Sequence, residues 1–435
     1  MALLETVRVA VTKLEDQIEP YASGIMSILP ALWAESGEEH LMKQAILTMI
    51  TAIINSLRHK GRGFHQPVYA LITDAVRPDS EASVYLLEEA LELWSALLAQ
   101  TPSEDPPPEL LAMVSSLLPL LELGSEHLRQ CFEILESYIV LSPRTVLEPA
   151  VFLPLLTSQR SMLPLLNSSR ARDASMSPHV LQTLLQTLSV PGYYDEQTRA
   201  SVLEHILNQM IQTGYLSSLM SALHEAYIYH EDPRPNRRPP DIIGVGETSL
   251  FTLLSQLVLA DSSAFLAALK TLPNPDTSAD TLTWLLTEWF QQYDSTPDTL
   301  RRKTQLLAIT SLLGIVPPPE HMLSSLQSIF TICTDTMTEL AEGAAAENRG
   351  DYLYSSSQPG EMLPNWPESD SAEDVRKRHM TNWDVVYVIN TRDFVLQKFQ
   401  TAMRSCGGQE GFVQQWITDR VDQEVVKGFA SLELL

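Results

Sequence analysis

SVYLLEEALELWSALLAQ, residues 83–100, is apolar on two sides of a single helix. Val84, Leu87, Leu91, Trp94 and Leu98 follow the three-then-four spacing that gathers side chains on one face, and Leu86, Ala90, Leu93 and Leu97 mark a second. A helix of this kind must be covered on both sides, as happens inside a row of stacked helix pairs. The spacing therefore predicts an all-α chain folded as a HEAT/ARM-like helical-repeat superhelix, an α-α solenoid, and not a small bundle.

On either side of this helix the same arrangement recurs with a beat of about 40 residues, the size of a HEAT or armadillo unit. Pro106–Pro108 breaks the chain, a helix runs to about Leu121, Gly124 closes it, and Ser125 is placed to cap the next. That next helix aligns Leu128, Cys131, Phe132, Leu135 and Ile139 and stops at Pro143. Leu282, Leu285, Leu286, Trp289, Phe290 and Tyr293 form another stripe. Pro297 opens a helix through Leu306, Leu307 and Leu313, halted by Pro317–Pro319. Further pairs are expected near 1–34, 41–78, 178–230 and 247–272, so residues 1–340 read as HEAT-type repeats. Within them Thr157–Ser177 is expected to be a mobile connection and Glu231–Asp241 an exposed, proline-dense loop. In Ala341–Asp374 eight carboxylates face one arginine, so 341–382 reads as an acidic disordered insertion. The remainder, 383–435, is expected to be a helical pair that turns at Gly407–Gly408 and closes the solenoid.

Composition bounds the partners. The 435 residues carry a net charge of −25, which disfavours nucleic acid and anionic membranes and suits basic proteins. The longest apolar run, Ala45–Leu57, falls short of the roughly 18 residues a membrane-spanning helix needs. The start, MALLETVRVAVTKLEDQ, lacks the basic-then-apolar layout of a secretory signal. Cys131, Cys333 and Cys406 are far apart without metal-ligand spacing, which suits a reducing compartment, and Cys131 sits on an apolar stripe as a small core residue. The chain reads as soluble and intracellular.

No catalytic motif emerges. His224-Glu225 with His230 suggests a zinc site, but the metalloprotease arrangement needs histidines four apart and position 228 is Ile, so solvated histidines at a helix end are expected. Gly244-Val245-Gly246-Glu247-Thr248-Ser249 faintly echoes a phosphate loop; it lacks the lysine and the preceding strand, and Glu247 would repel phosphate. A turn feeding a helix capped by Thr248 or Ser249 is the expectation. There is no serine elbow, paired cysteine set or dinucleotide fingerprint, so no enzyme activity, catalytic residue, metal or cofactor is expected. Asn167-Ser168-Ser169 fits the glycosylation triplet, a pattern common by chance. Two basic clusters interrupt the acidity: Arg301-Arg302-Lys303 is expected to pair with Asp294 or Asp298, and Arg376-Lys377-Arg378-His379 to fold back on the preceding carboxylates.

Four stretches carry a family resemblance: Val84–Trp94, Pro119–Pro143, Trp284–Leu313, and the ending at Asp384–Gln400 and Gly407–Phe429. In this order they resemble the C-terminal half of importin-eleven-type nuclear transport receptors, a branch of the karyopherin-β family. The resemblance implies a HEAT-repeat receptor of nucleus, cytoplasm and nuclear envelope. It would carry basic protein cargo through nuclear pores, meet nucleoporin repeats, and be governed by Ran in its GTP form. Members of that family are longer, and their N-terminal half holds the main Ran-binding repeats, so a fragment with weak Ran response is expected. No Ran, cargo or nucleoporin contact residue is assigned. The alternative is a HEAT-type scaffold or regulatory subunit without a transport cycle.

Overall fold

The computed structural model describes residues 2–124, 126–168, 170–232, 238–276, 280–356 and 370–434. The regular elements of these residues are helices, with no strand among the described residues, as the stripes require. They form two compact units: Met1–Ser161 with Asn365–His379, and Met162–Pro364 with Met380–Leu435.

The first unit contains α1 (Ala2–Leu14), α2 (Glu19–Glu35), α3 (His40–Leu57), α4 (Gln66–Val76), α5 (Ser83–Gln100), α6 (Leu117–Leu123) and α7 (Leu128–Leu141). The doubly apolar α5 is its centre, packed against α3, α4 and α7. Leu86, Ala90, Leu91, Leu93, Trp94, Leu97 and Leu98 are buried, whereas Val84, in the first turn, is 77% exposed. Gly124 ends α6 in the left-handed region (φ 60°) that glycine adopts without strain. The cap expected from Ser125 lies outside the described residues. Cys131 is buried in α7 and its thiol is pushed up to about 12 by that burial.

A polar core fixes this unit. Trp94 donates from Nε1 to the Tyr138 hydroxyl (2.8 Å), which donates to the Leu110 carbonyl (2.7 Å). The end of α5 is closed from far along the chain. The helix Ala372–Asn382 brings in Arg376, only 5% exposed, whose guanidinium donates to the carbonyls of Leu98 (2.9 Å) and Thr101. A cation there satisfies carbonyls that the helix leaves open and opposes the negative end of its dipole. In the same helix Glu373 accepts from Ser137 (2.8 Å) and pairs with Lys377 (2.6 Å), and Arg378 pairs with Asp370.

The second unit contains α8 (Ala171–Gln186), α9 (Glu196–Gln212), α10 (Tyr215–Glu231), α11 (Val245–Ala260), α12 (Ser262–Thr271), α13 (Thr281–Tyr293), α14 (Thr299–Leu313), α15 (Leu326–Ala341), α16 (Thr391–Ser405) and α17 (Gln423–Ser431). One row runs α8, α11, α14, α16, each packed on the next; α9 and α13 pack on α10, and α15 joins α14 to α17. Every residue of α14 from Lys303 to Leu313 is buried, the mark of a helix with neighbours all round. At the C-terminal end Phe330, Phe399 and Phe429 cluster, with Phe330 and Phe429 stacked at 4.0 Å.

Two expectations about order are corrected. Thr157–Ser177, expected to be mobile, contains a short helix, Met162–Leu165, and the start of α8. Met162, Leu166, Ala174 and Ser177 are buried, and Ser177 shares a 2.8 Å hydrogen bond with the Tyr215 hydroxyl. The stretch 341–382, expected to be disordered, is ordered at both described ends, while 357–369 lies outside the described residues. At one end Asp351 is buried and accepts from Lys303 Nζ (2.7 Å) and from Thr391. At the other, Glu373, Arg376 and Met380 form the buried face of a helix. Composition misleads here because the buried positions are charged and matched by partners.

Candidate functional site

A concavity of about 750 Å³ lies in the second unit, between α8, α9, α11 and α12. Its floor is aliphatic: Leu185 comes from the last turn of α8, Leu188 from the turn that follows it, Leu203 and Leu207 from α9, and Leu259 from α11. Opposite them α12 presents Ala264, Ala267 and Ala268, side chains too small to fill the space. The sequence builds each wall locally. The side chain of Asp195 caps α9, accepting from the Thr198 N–H (2.7 Å), which starts the helix whose apolar stripe is Leu203, Ile206, Leu207 and Met210. Asp261 breaks α11 from α12 and caps the latter, its Oδ1 accepting from Ser263 (2.8 Å) and Ala264 (2.9 Å).

The rim is acidic. Glu196, Glu204, Asp261 and Asp384 line the groove, against the single guanidinium of Arg199. Glu196, Glu204 and Asp261 are exposed. Asp384 is half-buried, accepts from Gln186 (2.9 Å), and has its carboxyl raised above the usual range by burial. An apolar floor beneath a carboxylate rim can seat aliphatic or aromatic side chains while neutralising lysines or arginines beside them. No histidine, cysteine or lysine is among the residues that line this groove.

The residues singled out from sequence fall elsewhere. His224 and His230 are not the solvated pair expected. His224 is buried, edge-on to Trp284 (ring centroids 5.0 Å), and burial holds its pKa below the ordinary value. His230 reaches Glu288 with Nδ1 2.6 Å from Oε1. The Gly244–Ser249 turn does feed a helix, but neither Thr248 nor Ser249 caps it. Gly244 is the N-cap, at φ 88°, and both hydroxyls bond back to the Val245 carbonyl inside α11. Gly246 allows close approach of α8, since a Cβ there would lie 3.1 Å from Ala174 Cβ. Of the first basic cluster, Arg301 pairs with Asp298 (3.3 Å) as expected, and Arg302 reaches Glu339 (3.1 Å) and donates to the Asp294 carbonyl. Lys303 is fully buried on Asp351 and the Ile389 carbonyl (2.8 Å), with its pKa lowered chiefly by burial. Of the second cluster Lys377 and Arg378 do fold back on acids, while Arg376 caps α5. The groove itself was missed; its one signal was the run of alanines on an otherwise ordinary short helix.

Among the described residues no single helix is long and apolar enough to cross a membrane; α11 and α12 qualify only as a pair, bent by 119°.

Comparison with known proteins places this architecture. Importin-11 of Mus musculus is 25% identical over 433 residues, covering 98% of this chain and 40% of that protein. Importin-11 of Homo sapiens is 26% identical over 437 residues with the same coverage, and the importin beta-like protein kap113 of Schizosaccharomyces pombe 21% over 431 residues, covering 99% and 39%. The chain thus spans about 40% of the length of these relatives. The solved structure of Lph2, described as a bidirectional nuclear transport receptor in S. cerevisiae, superposes with a TM-score of 0.73 at 17% identity, over 99% of this chain and 43% of that one. That similarity bears out the helical-repeat fold. A family model for importin-11-like proteins matches residues 44–434 and describes the repeats as TPR, which, like HEAT units, are stacked helix pairs. Matched over nearly its whole length, the chain belongs to the importin-11-like family of helical-repeat proteins.

Proposed function

We propose that the chain is the cargo-holding part of a karyopherin-like nuclear transport receptor, and that the groove between α9 and α12 takes basic, amphipathic segments of protein cargo. The observation that carries the reading is the aliphatic floor edged by Glu196, Glu204, Asp261 and Asp384 in a chain of net charge −25. Rim charges of this kind speed encounter and make binding salt-sensitive, while buried aliphatic contact supplies the affinity that survives salt. By the family resemblance, nucleoporin repeats and Ran in its GTP form are the other proposed partners, and nucleus, cytoplasm and nuclear envelope the proposed sites of action.

The test is a calorimetric titration with a short helical peptide that alternates lysine and leucine faces, at low and high salt. Wild type is expected to bind at low salt and lose at least about tenfold in affinity at high salt. The Glu196→Lys/Glu204→Lys/Asp261→Lys variant is expected to lose binding at low salt. Affinity indifferent to both salt and charge reversal refutes the groove as the docking site.

A further inference from the structure

We propose that His230, Glu247 and Glu288 form a binding site for one divalent transition cation of the zinc class. The three residues come from three helices: the last turn of α10, the first turn of α11 and the middle of α13. Each offers one ligating atom, and these atoms all lie within 4.8 Å of one another. Imidazole nitrogen with carboxylate oxygens is a donor set that zinc accepts, with a fourth position left for water.

The second observation is what the glutamates lack. Glu247 and Glu288 are both fully buried. Neither carboxylate oxygen of Glu247 has a hydrogen-bond partner, nor has Oε2 of Glu288. Among the described residues no lysine or arginine pairs with either. Two buried carboxylates side by side are strongly unfavourable unless something neutralises them. A dication would cancel both charges and occupy the open oxygens together. His230, whose side chain is 21% exposed, is the rim of the cluster and gives an ion its way in. On metallation the 2.6 Å separation of His230 Nδ1 and Glu288 Oε1 would widen to about 3.3 Å, the edge of a tetrahedron with bonds of about 2.0 Å. Gln292 Nε2, 3.3 Å from the same nitrogen, stands beside the site.

The competing possibility is one proton held between the two carboxyls. In the metal-free chain, burial first and then the adjacent Glu288 push the Glu247 carboxyl up to about 9. Metal and proton separate experimentally. Tag-free full chain, stripped with chelator, is titrated with zinc chloride alone, and bound metal is counted by mass spectrometry after desalting. The expected result is one zinc per chain in wild type and at least about tenfold weaker binding in both Glu247→Gln and His230→Gln. His230→Gln, at the rim, keeps the test valid if the buried variant fails to fold. No stoichiometric zinc in wild type, or equal uptake by wild type and His230→Gln, overturns the proposal.

Discussion

Tyr138 shows how much one hydroxyl can hold together in a repeat. It receives the Trp94 indole N–H and passes its own proton to the Leu110 carbonyl, and neither aromatic side chain is exposed. Tyr138→Phe leaves the Trp94 N–H buried and unmatched, which should cost about 1–3 kcal/mol, read as a lower denaturant midpoint at unchanged slope. An unchanged midpoint would show that the hydroxyl is dispensable. His65 is the opposite case: 1% exposed, with neither ring nitrogen hydrogen-bonded. Burial, aided by the Arg62 charge, pushes its pKa down to about 4. Between about 4 and 6.5 the folded chain therefore binds fewer protons here than the unfolded one. The stability this residue contributes is full above 6.5 and is lost as pH falls from 6.5 through about 4. The loss amounts to about 3 kcal/mol, which His65→Asn should remove from the pH profile of unfolding. Identical slopes in wild type and variant would speak against this role for His65.

Among the elements, the legible features were the local ones. The two stripes of α5 foretold helices on both sides, and the break at Gly124 foretold the left-handed end of α6, because periodicity and turn chemistry are set within a few residues. The buried polar pairs were not legible, since their partners are distant in sequence: Lys303 with Asp351, Arg376 with the carbonyls of Leu98 and Thr101. The helix Ala372–Asn382 was hidden for the same reason, its inward face being Glu373, Arg376 and Met380 and not an aliphatic row. At Gly244 the sequence suggested a turn but not which residue made the cap. An added Cβ there would meet nothing within 4 Å, so Gly244→Ala tests the backbone alone. At φ 88° the substitution should destabilise by roughly 1–2 kcal/mol without altering packing. A variant as stable as wild type would mean that the entry to α11 relaxes to another conformation.

Within each of the two units, neighbouring helices share their buried faces, as stacked helix pairs do. Fold and family could be read from the stripes together with the four resembling stretches. The groove could not, because it is an absence of side-chain volume on α12 that only the packing of α8, α9 and α11 turns into space. Transport and scaffolding separate in permeabilised cells: a transport receptor carries a bound basic reporter into nuclei, whereas a scaffold holds it outside. Docking of cargo between α9 and α12 is open to a direct measurement, hydrogen–deuterium exchange with and without the lysine–leucine peptide. Exchange is expected to slow in Glu196–Gln212 and Ser262–Thr271 at low salt, and the protection to be relieved at high salt. Protection confined to other helices, or none under binding conditions, would place the docking surface elsewhere.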